Sequence, residues 1–518
     1  MPTRLEIGSV DWRWRSLIAL TALKIVLVPS YRSTDFEVHR NWLAITSSLP
    51  LSEWYVNETS EWTLDYPPLF AWFEWTLAHA AKIFDADMLN VSNLNYASPN
   101  TILFQRLSVI VTDVVLYGAA WFGTRRHKEP MRNVAFLLAV ANAGLLIVDH
   151  IHFQYNGLLL GILMWSIALI REGHDLLGGL LFAALLNMKH LFACLGPLYF
   201  VYLLRHYCRG KQAVFKFFTL GALVAAVFAA AFGPFILAGQ LQQVLGRLFP
   251  FKRGLMHAYW AANVWALYAA VDRALALLLP HMGFQVDRTA ALMTGGLVQV
   301  SNFAVLPDIE AGTTLILVLL TMAPVLVSVW RNPNPDAFAS AAAYMCMCSF
   351  MAGYHVHEKA ILMVMLPLAF DAVNSPAAAR TFLMLSITGQ YALLPLLFTR
   401  NEYPLKMLLL GIYSLGSCIL LSACMEHLGG ANGSPCQSGK EAIFGLMHKG
   451  SSVTKLLGRL NALYLLGLVG LEVILVIGAM LAPTKARHAA IEGFVDCTAK
   501  EHVLTRSFGV KKCGSLPI

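Results

Sequence analysis

The chain has 518 residues, 57% of them hydrophobic and only 13% charged, with a formal net charge of +8. Soluble domains carry about 25% charged residues, so this composition excludes a soluble globular protein of the same length. The basic excess lies in short clusters between apolar blocks, which points to membrane sidedness and not to nucleic acid.

A bilayer-spanning helix needs about 20 mostly apolar residues. Apolar blocks suited to that task occupy 16–30, 106–123, 133–148, 156–170, 190–204, 217–237, 313–330, 337–354, 381–398, 405–423 and 460–482. Blocks 177–187, 261–280 and 360–371 are shorter or more polar, so the pattern predicts roughly 11 to 14 crossings. Arg13 and Arg15 precede the first block, which lacks a small-residue cleavage site. It is therefore expected to be an uncleaved first helix with a cytosolic N-terminus. Alternation then puts 31–105 across the membrane and returns the basic clusters Thr124–Lys128 and Arg205–Lys216 to the cytosol, in agreement with their charge. Two acceptor sequons, at Asn57 and Asn90, fall in the first loop. Segment 238–312 sets no parity, and 483–518 is a polar, basic tail behind a multi-pass domain over 1–482.

The first loop, of about 75 residues, is too long for a structureless connection and is expected to fold and to work. Thr34 and Glu37 have capping-box spacing and predict an amphipathic helix from Phe36 to about Ser47. Pro67 and Pro68 predict a second helix over Leu69–Phe84, with Phe70, Trp72, Phe73 and Trp75 suited to the bilayer interface.

Three groups of residues could carry chemistry. Asp35 directly follows the first span, and on a helix it shares a face with His39. Desolvation there would raise the carboxyl towards operating pH, as a general base requires; alternatively Asp35 and Glu37 only complement the helix dipole. Trp62, Asp65 and Tyr66 precede the rigid Pro67–Pro68 turn. Their rings suit either a sugar platform or membrane-interface anchoring. Lys252, Arg253, His357 and Lys359 could bind phosphate, or Lys252 and Arg253 could simply belong to a solvated loop. His150/His152 and His355/His357 lack a third ligand, so no metal is predicted.

The stretch Ser33–Thr46 resembles the first-loop signature of the dolichyl-phosphate-glucose-dependent glucosyltransferases of N-glycan assembly. Segments 62–73, 153–157, 247–254 and 356–359 match in the same order, and the likeness runs from about 16 to 482. Thr34 before the aspartate and Val38-His39 after Glu37 resemble the member that adds the second glucose and depart from the one that adds the first. The resemblance implies an all-α, polytopic GT-C fold with interfacial helices in a lumenal first loop of the endoplasmic reticulum membrane. It implies inverting α-1,3 transfer from dolichyl phosphate glucose to the monoglucosylated, nine-mannose oligosaccharide on dolichyl diphosphate, without a cofactor. Asp35 would be the base. Glu37, His39, Arg40, Trp62, Asp65, Tyr66, Lys252, Arg253, His357 and Lys359 would contact substrate. The competing classes are the sister enzyme adding the first glucose, a lipid-linked mannosyltransferase, and a lipid or solute transporter. A transporter predicts paired broken helices in two related halves, which the sequence does not display.

Overall fold

The computed structural model describes residues 12–249, 254–255, 261–286, 303–397 and 399–431. Every regular element among them is helical. The chain runs through α1 (Trp12–Val26), α2 (Asp35–Ser48), α3 (Pro68–Phe84), α4 (Pro99–Thr112), α5 (Val114–Gly123) and α6 (Met131–Val140). A single turn, α7 (Ala143–Leu145), leads into a π-helical segment, Leu146–Phe153. There follow α8 (Asn156–Arg171), α9 (Asp175–Met188), α10 (Gly196–His206), α11 (Ala213–Leu237), α12 (Leu241–Leu248) and α13 (Val264–Leu278). The last described helices are α14 (Ala311–Arg331), α15 (Phe338–Ala352), α16 (Leu362–Ala369), α17 (Pro376–Tyr391) and α18 (Tyr403–Ala431).

Five of these stretches are individually long and apolar enough to cross a membrane: 99–123, 131–153, 213–237, 311–331 and 400–428. Segment 131–153 is almost wholly buried, whereas α11 leaves Val214, Phe215, Phe218 and Leu237 exposed. Water would penalise that apolar outer face and lipid would not, so the chain is a helical membrane protein with a buried central helix.

Connections alternate between two ends of the bundle. At one end Arg125 reaches Glu172 at 2.8 Å, Arg126 reaches Asp336 at 2.5 Å, and Arg205 donates to the Trp330 carbonyl at 2.9 Å. The basic loops thus gather together. At the other end lies the first loop. Arg247 binds the Tyr55 carbonyl at 3.1 Å and Glu58 at 2.7 Å, and the Tyr31 amide donates to Glu402 at 3.2 Å. Two blocks expected as single spans break at this end. Residues 190–204 split into a 3-10 turn, His190–Leu195, and α10, whose start Pro197 favours. Residues 381–398 end as a helix at Tyr391, with Pro395 in a 3-10 turn. Block 460–482 and the tail lie outside the described residues.

The first loop folds as α2 and α3, with one short 3-10 turn between them, Leu51–Glu53, and another after α3, Ala86–Leu89. Two expectations need correction. Thr34 and Glu37 form no capping box: Thr34 has helical angles and makes no side-chain cap bond. The Ser33 hydroxyl instead accepts from the Asp35 amide at 3.2 Å, and Glu37 turns away to Arg40. Nor is α2 a half-exposed amphipathic helix, for Phe36, Glu37 and every residue from His39 to Thr46 are buried. It is wedged between α3, the 86–89 turn and the π segment. It is α3 that leaves apolar side chains exposed, at Trp75, Ile83 and Phe84.

Candidate active site

Asp35 opens α2, with about a fifth of its side chain (22%) accessible. Three side chains converge on one of its oxygens. Lys359 Nζ and Gln154 Nε2 each lie 2.7 Å from Oδ2, and His152 Nε2 lies 3.2 Å from the same atom. Oδ1 has no partner among the described residues. Burial alone would raise this carboxyl, but the ammonium of Lys359 and the His152 hydrogen bond hold it well below the usual carboxylate range. The expected upward shift is thereby corrected: the group is a fully ionised carboxylate, oriented through one oxygen and open at the other.

Backbone irregularity puts these donors in place. The π segment widens the helix ahead of His152, and Phe153 has a φ of 94°, a conformation costly for any residue with a Cβ. That reversal lets His152 and Gln154, on either side of Phe153, reach the same carboxylate. Its surroundings lock it. The His152 carbonyl accepts from the Ser33 amide at 2.9 Å and hydroxyl at 2.6 Å. Arg106 binds the carbonyls of His150, Ile151 and Tyr31 at 2.9, 2.9 and 2.7 Å. The Gln154 amide is fixed by Asn156 at 2.8 Å, which donates also to Asp149 at 2.9 Å. Gly157 N–H completes the brace, 2.6 Å from Asp149. A Cβ on Gly157 would come within 2.0 Å of Asp113 Oδ1, so this position requires glycine. Lys359 arrives on the 3-10 turn Glu358–Ile361, shortly after His355, which has a φ of 52° and binds Gly254 and Leu255 through their carbonyls.

Tyr66 and Lys189 complete the surroundings. The Lys189 ammonium lies 4.9 Å from the centre of the Tyr66 ring, which also packs on Trp42 and Phe70. Burial, and then Asp65, raise the Tyr66 hydroxyl well above its ordinary range, so it stays protonated. Burial, and then Lys359, bring Lys189 down to about 8. Glu358 is buried with neither carboxylate oxygen hydrogen-bonded among the described residues, and burial pushes it up to about 7.

Other expected substrate contacts face inward. Arg40 clasps Glu37 with two bonds of 2.7 Å and reaches the Met88 carbonyl at 2.9 Å, which ties α2 to the 86–89 turn. This buried pair has no surface for a ligand. His39 binds Glu74 at 2.7 Å inside a cage of Trp42, Phe70, Phe153 and Tyr155. It is thus separated from Asp35 despite the one-turn spacing. Trp62 uses its carbonyl to hold Asn41 and Trp42 at 3.0 and 3.3 Å, and its ring stays partly accessible, as does Asp65. His357 lies beside the site, its ring packed edge-on against His355, and Lys252 and Arg253 lie outside the described residues. Sequence reasoning missed His152, Gln154, Lys189 and Glu358 as functional groups. Lys189 carried a readable signal, an isolated lysine between two apolar blocks.

A family model described as the ALG6, ALG8 glycosyltransferase family matches residues 20–495. The chain belongs to this family. Among the relatives of this glycosyltransferase is an Arabidopsis thaliana protein, 52% identical over 399 residues, covering 76% of this chain and 79% of its own length. A Mus musculus protein is 48% identical over 434 residues (78% and 82% of the two chains), and one from Schizosaccharomyces pombe is 46% identical over 419 residues (79% and 83%). Each is named a dolichyl pyrophosphate Glc1Man9GlcNAc2 alpha-1,3-glucosyltransferase.

Proposed function

We propose that this glycosyltransferase moves glucose from dolichyl phosphate glucose to the monoglucosylated, nine-mannose oligosaccharide on dolichyl diphosphate, forming an α-1,3 linkage in the endoplasmic reticulum membrane. The supporting observation is the near-half identity, over more than three quarters of the chain, to relatives that bear that name in plants, animals and fungi. Residues 1–482 form the catalytic membrane domain, of GT-C type, and 483–518 a tail. The first loop is lumenal, at the end of the bundle opposite the basic loops.

Asp35 is the base. Its open Oδ1 takes the proton of the acceptor hydroxyl as that oxygen attacks the anomeric carbon. The bond from carbon to phosphate oxygen breaks with inversion, and its electron pair leaves on dolichyl phosphate. One displacement needs one base, and a phosphate neutralised by cations leaves without a strong acid. Trp62, Asp65 and Tyr66 line the sugar path, while Lys252, Arg253 and His357 serve the lipid phosphates and Lys359 orients Asp35. The deciding experiment gives purified enzyme synthetic dolichyl phosphate glucose and two acceptors, with zero or one glucose in place. Transfer to the monoglucosylated acceptor alone is expected. Preference for the unglucosylated one would assign the chain to the preceding step, and no transfer to either would remove the activity.

A further inference from the structure

Two lysines act on the Asp35 carboxylate, one in contact and one through its charge alone, and they differ in what they hold. Lys359 is committed to Asp35 at 2.7 Å. Lys189 follows α9 directly, at a helix C-terminus that favours a cation, and lies over the face of Tyr66. Among the described residues it donates no hydrogen bond. Its charged neighbours are Lys359, Asp149, Asp35 and Asp65, all within electrostatic reach but none in hydrogen-bond contact. Lys189 is only partly buried, so its three ammonium donors are open to solvent or to a ligand. Its complement is an anion with several acceptor oxygens.

We propose that Lys189 is the cation that receives the phosphate of the lipid-linked donor sugar and neutralises it as it leaves. This assignment rests on the glucosyl transfer proposed above. Attack in line places the leaving phosphate across the anomeric carbon from the hydroxyl whose proton goes to Asp35, and so within a sugar's breadth of that residue. The acceptor's own diphosphate lies at the far end of its oligosaccharide, too distant to be the anion in question. The negative charge on the departing phosphate rises in the transition state, so a fixed ammonium there favours turnover beyond binding.

The probe is dolichyl phosphate, the product without its sugar, titrated into the purified full chain in lipid nanodiscs, beside donor and acceptor kinetics. Lys189→Met should weaken dolichyl phosphate binding about ten- to a hundredfold, the worth of a hydrogen bond to a charged group. Turnover at saturating donor should fall by about 10²–10³, with the KM for acceptor little changed. Lys189→Arg keeps the charge and should restore part of both. In wild type kcat/KM should decline above a pH of about 8 as the free enzyme's Lys189 loses its proton. The arginine variant should lose that alkaline limb, a change that mere structural damage does not produce. Unchanged dolichyl phosphate binding in a well-folded Met variant would overturn the assignment, as would a defect confined to the KM for acceptor. Wild-type protein that transfers no glucose would overturn the activity itself, so the two failures are told apart by the wild-type control.

Discussion

Replacing Asp35 by asparagine keeps the size of the side chain and removes only its charge and basicity. The structure sets what this should cost. Lys359, Gln154 and His152 all address Oδ2, so an amide oxygen in the same place still accepts from the first two. Lys359, however, is only 13% exposed and loses its counter-charge. Breaking such a pair costs about 3–5 kcal/mol, and the retained acceptor puts this case near the lower end. The protein should therefore purify with a lowered thermal transition. Turnover should fall much further, by about 10²–10⁴, the usual loss on removing a general base. Donor affinity should change only a few-fold. The assay is single-turnover glucose transfer from synthetic donor, with donor binding measured separately on the same preparation. Asp65→Asn serves as the matched control, and there affinity or yield should suffer before rate. Near wild-type turnover in Asp35→Asn, alongside an inactive Asp65→Asn that binds donor normally, would exchange the two roles.

Gln154→Ala removes one oriented donor from Asp35 and the tie to Asn156; steady-state kinetics should show about a 10–100-fold loss of kcat/KM, the value of a charged hydrogen bond, and a wild-type rate would dismiss the brace. Arg40→Ala uncovers Glu37 in the interior and should reduce yield and melting temperature by the equivalent of about 3–5 kcal/mol, while protein that does fold retains kcat. Glu358 binds its proton more tightly folded than unfolded, so its contribution to stability is full below the ordinary carboxylate value of 4.5 and is lost as pH rises to about 7. Glu358→Gln should accordingly melt like wild type near pH 4.5 and be more stable above pH 7, by about 3 kcal/mol; a constant difference across that range would show that Glu358 does not titrate there. Ser52→Cys, on the exposed turn of the first loop, should resist a membrane-impermeant thiol reagent in sealed microsomes and react after permeabilisation; reaction from the cytosolic side would reverse the topology.

The apolar blocks, the gathering of the basic clusters at one end and the two helices of the first loop were all legible in the sequence. Each depends on local composition or on a chain-breaking residue such as Pro67 or Pro68, and the bilayer admits few alternatives to helix. Asp35 could be singled out because it follows a span directly. Its partners could not. His152 and Gln154 meet it only because of the π segment and the positive φ of Phe153, and Lys359 reaches it from a 3-10 turn just after His355, features without a sequence period. Spacing was misleading where tertiary partners outcompeted local ones. Glu37 satisfied the pattern of a capping box but gained a bidentate arginine, and His39 shared a face with Asp35 but found Glu74. Ionisation followed the same rule. Burial, the part that position in the chain suggests, pushes Asp35 upward, yet an ammonium from a residue 324 positions away holds it down. Local chemistry is written in neighbouring residues, whereas the charge state of a buried carboxylate depends on which distant cation the fold delivers to it.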